Sequence, residues 1–352
     1  MKTEILPAHD VEEGRAAIDA AVARLRRGEP VVVPTETVYG LAAIPTAEAA
    51  LRAAKERDEG KPFTWAVASR EAAERLVDLS ALGPGKLARR FWPGPLTLVA
   101  PRRAAGAPLG VRVPGHPVAL ALLRALDGPL LLTSANRSGE RDACTAQEAL
   151  ASLEGQVALV LDSGPSPLGQ PSTVVSFAGA RAIVHREGVI DRGMVLRTAA
   201  RSVLLVCSGN TCRSPMAEAL LRKMWADRLG VKPQELLDHG GFVTSAGLGA
   251  LAGLRASEEA LELLSERGLD LAHHRSRPLR LELVRGADLV LTMTDHHRRA
   301  VISGAPDAEG RIELLDPDGA DVPDPIGRGM DDYRACLRAI ERALERRVAR
   351  LA

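Results

Sequence analysis

The stretch RSVLLVCSGNTCRSPMAEALLRKMW, residues 201–225, gives the clearest indication of a fold in this chain. Its apolar run ends at Cys207, a polar loop follows, and the rest has the pattern of a helix that Pro215 suits at an early position. Strand and helix patterns continue to alternate towards the C-terminus, which predicts a doubly wound parallel α/β sheet. Cys207 would then lie at the carboxyl end of a strand, where such sheets bind ligands.

The polar loop after this strand predicts an anion-binding site with a nucleophilic thiol. Backbone N–H groups converge in such loops, and the helix N-terminus adds partial positive charge. Arg213 supplies a fork of donors for phosphate oxygens, and Ser214 can hydrogen-bond the sulfur. These groups favour the thiolate form of Cys207, which can attack phosphorus in line. Zinc is disfavoured, because only Cys207 and Cys212 are local and zinc takes about four ligands.

The Cys-x5-Arg-Ser motif between a strand and a helix resembles the low-molecular-weight protein-tyrosine phosphatase family, over about residues 201–352. The resemblance implies a phosphocysteine intermediate on Cys207 and phosphate binding by Arg213. It also implies that Asp324, in the Asp-Pro pair of VPDPIG, is the general acid, with the Asp-Pro pair at Asp316 as the alternative. No cofactor is expected for this reaction. The other phosphate-loop residues are Ser208, Gly209, Asn210, Thr211, Cys212 and Ser214.

The cysteines have different expected roles. Cys212 is able to form a reversible disulfide with Cys207, which would protect the thiol from over-oxidation. Cys144 and Cys336 are expected to be buried structural residues. Four cysteines in 352 residues are too few for a disulfide scaffold.

The substrate of the phosphatase half is predicted from what flanks the loop. Tyrosine phosphatases of this family resemble each other in placing aromatic residues around the substrate ring. Neither SAGLGALAG (245–253) nor DPIGRG (324–329) contains an aromatic residue, and Ile326 stands after the second Asp-Pro pair. Thr211 is smaller than the aliphatic residue usual in tyrosine enzymes. The half therefore looks more like the protein-arginine phosphatase branch, so phosphoarginine is favoured over phosphotyrosine.

The N-terminal half predicts a mixed α/β sheet, because several strand patterns follow one another without helices between them. Polar clusters interrupt its strands and place hydroxyls, an amide and cations at strand ends, as an anionic nucleotide requires. No GxxxxGK[ST] motif is present, so a P-loop is excluded.

Six segments of this half, in order, resemble the threonylcarbamoyl-AMP synthase (YrdC-like) family over about residues 10–190. Among them are PTETVYGL (34–41) and the two segments of the Lys-x-Arg…Ser-x-Asn signature, and FWPGPLT (91–97) is also similar. The resemblance implies that ATP, L-threonine and bicarbonate give threonylcarbamoyl-AMP and pyrophosphate. A partner transferase complex would then pass the threonylcarbamoyl group to a tRNA adenosine.

The same resemblance assigns roles at this site. Three cations would offset phosphate charge together with Mg²⁺ that accompanies ATP; they are Lys55, Arg57 and Lys61. Thr35 and Thr37 would face threonine, and Arg112 would pair with its carboxylate. The residues expected to hold nucleotide and triphosphate are Ser134, Asn136, Ser172 and Arg186. Tyr39 would lie beside the adenine or pack in the core. Asp58 and Glu59 depart from the family pattern, in which a proline often follows the Lys-x-Arg arginine.

Length and composition set the wider limits. A chain of 352 residues predicts two domains, placed at 1–194 and 201–352, with a short junction at 191–200. A net charge of +1 gives no general pull towards nucleic acid or membranes. No apolar run is long enough for a membrane span, and the N-terminus lacks a signal peptide, so a cytoplasmic protein is expected.

Three functional interpretations follow. The first is a bifunctional enzyme that joins an ATP-dependent synthase to a cysteine phosphatase. The second is a phosphotyrosine phosphatase with an N-terminal module that binds RNA, including double-stranded RNA, or a nucleotide without catalysis. The third is a fusion in which one domain is degenerate. Pyrophosphate release that depends on threonine distinguishes the first from the second, which predicts RNA binding with steep salt dependence.

Overall fold

The computed structural model describes residues 3–56, 58, 60–349 and 351. The chain divides into two compact units, Met1–Ala199 and Ala200–Ala352, and each has its own sheet. Most of the junction expected from the sequence is helical, since Arg192–Ala199 forms the last helix of the first unit.

The first unit has ten strands within the described residues. They are β1 (Glu4–Pro7), β2 (Val31–Val33), β3 (Gly40–Ala43), β4 (Thr64–Ala66), β5 (Leu96–Ala100), β6 (Leu109–Arg112), β7 (Leu130–Ser134), β8 (Leu159–Asp162), β9 (Thr173–Ala178) and β10 (Arg181–Arg186). Its helices are α1 (Arg15–Arg26), α2 (Glu48–Lys55), α3 (Arg70–Leu76), α4 (Leu82–Phe91), α5 (Pro117–Leu126), α6 (Ala146–Leu153) and α7 (Arg192–Ala199).

These strands form one sheet in the order β1-β8-β2-β3-β7-β4-β6-β5-β9-β10. The pairs β1–β8, β2–β8, β4–β6 and β5–β9 are parallel, and the other neighbours are antiparallel. The predicted mixed sheet is therefore confirmed.

Helices cover both faces of this sheet. Side chains alternate between the faces of a strand, so successive residues of β2 enter different cores. Val31 and Val33 pack in a cluster with Ile18 of α1 and with α5. Val32 packs in a second cluster with Leu51 of α2 and with α6. Both faces are apolar, which leaves the strand ends and the loops as places for polar chemistry.

The second unit is built on four parallel strands in the order β12-β11-β13-β14. The strands are β11 (Arg201–Cys207), β12 (Gly241–Gly247), β13 (Leu289–Thr292) and β14 (Ile312–Leu314). The helices are α8 (Arg213–Leu229), α9 (Glu258–Ser265), α10 (Leu281–Gly286), α11 (Asp295–Gly304) and α12 (Met330–Val348).

Alternate residues of β11 again enter different cores. Val203 and Leu205 pack with α8, α9 and α12, whereas Leu204 and Val206 pack with α10 and α11. Helices on both faces of a parallel sheet confirm the predicted doubly wound architecture. Among the described residues of both units, every helix is too short or too polar to cross a lipid bilayer.

Candidate active sites

The loop between β11 and α8 arranges donors around the sulfur of Cys207. Cys207 ends its strand and is buried. Its Sγ lies 2.9 Å from Ser214 Oγ, and the backbone N–H of Asn210 donates to the sulfur at 3.2 Å. The structure thus places a backbone amide and a hydroxyl against the thiol, in the arrangement that the sequence predicts.

Asn210 holds the shape of this loop. Its φ of 55° lies in the left-handed region, which asparagine tolerates better than most residues. Its side-chain amide donates to Ser214 Oγ and Ser245 Oγ, both at 2.9 Å, and its Oδ1 accepts from the Arg277 N–H at 2.9 Å. Its carbonyl lies 2.7 Å from His274 Nε2. Sequence reasoning missed the three partners outside the loop, which come from distant segments.

Arg213, the first residue of α8, closes the other side of the loop. It is buried, and its guanidinium donates to the Val322 carbonyl and to Ser208 Oγ, each at 3.3 Å. It also forms an ion pair with Asp324. The three residues predicted to be catalytic therefore converge, although Asp324 holds a donor that a phosphate would need.

The two Asp-Pro pairs occupy different surroundings. Asp324 Oδ1 accepts from the Ile326 N–H at 3.2 Å, and its other oxygen faces Arg213. Asp316 pairs with Arg346 on α12 at 2.6 Å. The geometry therefore places Asp324, and not the alternative Asp316, at the phosphate loop.

All four cysteines are free thiols. Cys212 Sγ lies 3.2 Å from Tyr333 Oη, and its predicted disulfide with Cys207 stays a prediction. Cys336 is buried as expected, and burial raises the pKa of its thiol to about 12. The expectation for Cys144 is wrong, because this residue is only partly buried. It lies in the loop before α6 and not in a sheet.

A cavity of about 370 Å³ lies in the first unit, at the ends of β3, β5, β6, β7 and β9. Seven of the residues predicted for ATP and threonine line it: Thr35, Thr37, Lys61, Arg112, Ser134, Ser172 and Arg186. The sequence segments that carry them are far apart, and the mixed sheet brings them together.

Lys55 and Asn136 do not line this cavity. The ammonium group of Lys55 donates to the carbonyl and hydroxyl of Ser134, at 2.6 and 3.2 Å, and to the carbonyl and Oδ1 of Asn136, at 2.5 and 2.9 Å. Both side chains are buried. The predicted phosphate contacts of Lys55 and Asn136 stay predictions, and in this structure the ammonium group of Lys55 holds the turn that presents Ser134. Arg57, the other cation of this signature, lies outside the described residues, as does Glu59.

The buried Arg112 forms an ion pair with the partly buried Glu36 beside the threonines. The guanidinium donates to Glu36 Oε1 at 2.7 Å, to Thr37 Oγ1 at 2.9 Å and to the Gly94 carbonyl at 3.2 Å. Thr35 and Thr37 share a hydrogen bond of 2.9 Å. Glu36 stands in the quoted PTETVYGL motif, but sequence reasoning did not give it a role.

The opposite wall of the cavity is built around Ser172. Its hydroxyl lies 3.0 Å from Thr97 Oγ1, and its carbonyl accepts from Arg186 at 2.8 and 3.0 Å. Thr97 is buried and lines the cavity, yet it was not predicted. The available signal was its position at the end of FWPGPLT, where β5 begins.

The structure shows where Tyr39 packs and which residue Asp58 contacts. The Tyr39 hydroxyl donates to the Gly164 carbonyl at 2.6 Å and accepts from the Ser163 N–H at 3.0 Å, so it is tied into the core. Burial raises the pKa of Tyr39 to about 12, and the residue also borders the cavity. Asp58, the departure from the family pattern, pairs with Lys61 at 2.8 Å.

Two family models match the chain, one in each unit. The model described as "Telomere recombination", for the Sua5/YciO/YrdC family, matches residues 23–188. The model described as "Low molecular weight phosphotyrosine protein phosphatase" matches residues 202–352. The two matches contain the two sets of motifs that the sequence analysis singled out.

Curated relatives match the same segments. A Mycobacterium tuberculosis protein named "Putative threonylcarbamoyl-AMP synthase" is 38% identical over 200 residues, which are 54% of this chain and 92% of that protein. A Ralstonia solanacearum protein named "Probable low molecular weight protein-tyrosine-phosphatase EpsP" is 34% identical over 152 residues, which are 43% of this chain and 96% of that protein.

Two solved structures are similar to parts of this chain. Sua5 of Pyrococcus abyssi, solved with L-threonine, is 24% identical with a TM-score of 0.50, covers 69% of this chain and 92% of its own, and shows the fold alone. The YwlE arginine phosphatase of Geobacillus stearothermophilus is 34% identical, covering 43% of this chain and 92% of its own, with a TM-score of 0.38. The chain belongs to the Sua5/YciO/YrdC threonylcarbamoyl-AMP synthase family through its first unit and to the low-molecular-weight protein-tyrosine phosphatase family through its second.

Proposed function

We propose that this chain is a bifunctional enzyme with two separate active sites. One would make threonylcarbamoyl-AMP from ATP, L-threonine and bicarbonate, and the other would dephosphorylate proteins through a phosphocysteine. The observation that carries the proposal is the convergence of Cys207, Arg213 and Asp324 in one unit, while a separate cavity in the other unit gathers seven predicted substrate-binding residues.

In the phosphatase reaction, the thiolate of Cys207 attacks phosphorus while the bond to the leaving oxygen or nitrogen breaks. Asp324 gives its proton to the leaving group, and Arg213 with the loop amides stabilises the charge on the phosphoryl oxygens. The resulting carboxylate then takes a proton from water, which attacks the phosphocysteine and releases phosphate and thiolate. Phosphate would displace Asp324 from Arg213, because both anions use the same donors.

Phosphoarginine is the substrate we propose for this site. An aromatic substrate ring gains from stacking on an aromatic wall, but the loops that flank the site present aliphatic side chains. Leu251 is 71% exposed and Ile326 is 61% exposed, so each offers an open apolar surface without a ring. Thr211 adds a hydroxyl in the loop, which suits a guanidinium N–H or the attacking water.

Parallel turnover on matched peptides tests this specificity. We expect a higher kcat/KM on a phosphoarginine peptide than on a phosphotyrosine peptide of the same sequence. Thr211→Val removes the hydroxyl at constant volume and should reduce that preference. A clear preference for phosphotyrosine in the parent chain would contradict the proposal.

In the synthase reaction, the amine of threonine and bicarbonate would form a carbamate and water. The carbamate oxygen attacks the α-phosphorus of ATP, and pyrophosphate leaves. Arg112, already aligned by Glu36, would bind the threonine carboxylate, while Arg186 and Lys61 would face the phosphates. Transfer of the product to tRNA would need a separate transferase complex.

Mg²⁺ would enter with ATP, held mainly by phosphate oxygens. The hydroxyl oxygens that line the cavity, including those of Thr35, Ser134 and Ser172, are hard donors that suit this ion. When bound, it would neutralise charge on the triphosphate.

Pyrophosphate release is the direct test of the synthase. We expect release from ATP only when L-threonine and bicarbonate are both present. RNA binding with steep salt dependence and no threonine-dependent pyrophosphate would contradict the proposal and support a binding module.

A further inference from the structure

A buried histidine lies directly behind the phosphate loop. His297, in the first turn of α11, is 3% exposed. Its Nδ1 lies 2.9 Å from Thr294 Oγ1, and its Nε2 lies 2.8 Å from Ser208 Oγ. Ser208 in turn accepts a hydrogen bond from Arg213. The ring is thus the middle of a chain of contacts that runs from the start of α11 to the phosphate-binding cation.

The charge state of this ring follows from its surroundings. Burial, together with the nearby positive charge of Arg213, lowers the pKa of His297 to about 4. The imidazole is therefore neutral at physiological pH, with one nitrogen that donates and one that accepts.

The contacts of Thr294 favour Nε2 as the nitrogen that donates. The hydroxyl oxygen of Thr294 already accepts from the backbone N–H of His297 at 3.2 Å, because Thr294 caps this helix. Nδ1 of His297 lies 2.9 Å from the Thr294 hydroxyl oxygen and is an acceptor for the hydroxyl hydrogen. Nδ1 then accepts, and Nε2 carries the hydrogen and donates to Ser208 Oγ.

Ser208 consequently receives two hydrogen bonds on its oxygen, from His297 and from Arg213. Its own hydroxyl hydrogen is left to an acceptor outside this set. The oxygens of a phosphate held by Arg213 are such acceptors, and Ser208 is an exposed residue of the phosphate loop.

We propose that His297 is a positioning residue, which holds Ser208 so that its hydroxyl donates to a phosphoryl oxygen bound by Arg213. The ligand class is a phosphate monoester, a phosphoramidate or free phosphate. The inference rests on the proposed phosphatase function but adds two residues to it. His297 would affect catalysis through Ser208, without touching the substrate.

Protection of Cys207 from alkylation by inorganic phosphate tests this arrangement without any turnover. The full-length chain is treated with iodoacetate at increasing phosphate concentrations, and modification of the Cys207 peptide is followed by mass spectrometry. The phosphate Kd is compared for the parent chain and for Ser208→Ala, His297→Leu and the double variant. His297→Gln keeps an N–H near the position of Nε2, and His296→Leu changes the exposed neighbouring histidine as a matched control.

We expect Ser208→Ala and His297→Leu each to raise the Kd for phosphate about tenfold, the usual scale for one hydrogen bond to an anion. The double variant should also show about a tenfold increase, because both changes remove the same contact. His297→Gln and His296→Leu should stay within about twofold of the parent. Thermal melting and pyrophosphate release from the same samples report whether each unit is folded.

Two results would overturn the inference. One is a phosphate Kd in folded His297→Leu equal to that of the parent chain. The other is a phosphate Kd in the double variant about a hundredfold higher than in the parent chain. Effects of the two single changes that multiply in this way would mean that Ser208 and His297 act independently. A parent chain that binds phosphate with the expected pattern but turns over no phosphorylated peptide would instead contradict the proposed function.

Discussion

The phosphate loop and the N-terminal cavity arrange their polar and charged groups in different ways. In the loop, the groups aimed at the sulfur are a backbone amide and a hydroxyl, both within seven residues of Cys207. In the cavity, the charged groups already have protein partners: Arg112 pairs with Glu36, and Lys61 pairs with Asp58.

The phosphate loop is thus a local site, formed by neighbouring residues in the sequence, whereas the cavity is assembled from segments that are far apart in the sequence. The contiguous motif itself supplies the groups that contact the sulfur, although its Arg213 pairs with Asp324 from a distant segment. In a cavity built from distant strands, cationic side chains pair with carboxylates of the protein, and an anionic ligand would replace those carboxylates. Mutations should therefore act on chemistry in the loop, and on stability as well as chemistry around the cavity.

Arg213→Ala should have the largest effect on the local site. It removes the fork of donors that stabilises phosphoryl charge, and we expect kcat/KM of the phosphatase to fall at least about 10³-fold, or roughly 4 kcal/mol. Steady-state kinetics on the preferred phosphopeptide measures it. Pyrophosphate release should not change, and a loss below tenfold would mean that the loop amides alone bind the phosphate.

Lys55→Met tests the expectation that changes around the cavity affect the stability of the first unit. Four acceptors from Ser134 and Asn136 would lose their buried cation, so the first unit should lose about 3 kcal/mol of its free energy of unfolding. Urea unfolding of the full chain measures this. Arg186→Ala, at an exposed position on the cavity wall, is the comparison and should raise the KM for ATP with little change in stability. Unchanged stability in Lys55→Met would show that the clamp is not structural.

The pH dependence of stability tests the neutral histidine. The pKa of His297 is about 4 in the folded chain against 6.5 for a free histidine, so the unfolded chain binds the additional proton between these values. Stability from this group is full above about pH 6.5 and falls as the pH drops towards 4, by about 3 kcal/mol in total. The free energy of unfolding is compared for the parent chain and for His297→Gln at pH 7 and pH 4. The difference between the two losses gives the contribution of His297, because the other groups titrate in both proteins. Equal losses would contradict a buried neutral ring.

Asp324→Asn and Asp316→Asn form a matched pair with a smaller expected effect. Asp324→Asn should lower kcat about 100-fold, in the range of general-acid catalysis, because Asp324 faces the loop. Asp316→Asn should stay within about twofold, because Asp316 pairs with Arg346 instead. The reverse ranking in steady-state assays would reassign the general acid.

The sequence predicts the phosphate loop more completely than the cavity, because the loop is one short segment and the cavity is assembled from distant strands. Cys207 and Arg213 lie in one short segment between a strand and a helix. This arrangement leaves few possible conformations for the loop, so the sequence could predict it. The partners of Asn210, namely Ser245, His274 and Arg277, come from other segments, and no local pattern marked them. Ser245 lies on β12, whereas His274 and Arg277 lie in the segment after α9, so their positions depend on how both pack beside β11.

The cavity was predicted less completely. Successive strand patterns without helices between them predicted a mixed sheet, but not the strand order that brings Thr97 beside Ser172. The motif predicted a phosphate contact for Lys55, which stays a prediction, but it did not indicate that this side chain donates to the carbonyls of Ser134 and Asn136. These contacts depend on the burial of Lys55 at the end of α2, which a single sequence does not specify.

Parallel assays of Cys207→Ser test the central claim, that one chain holds two independent active sites. The account predicts no measurable turnover of phosphopeptide and an unchanged rate of threonine-dependent pyrophosphate release. Loss of both activities in a folded protein, or phosphatase turnover that survives without the thiol, would contradict it.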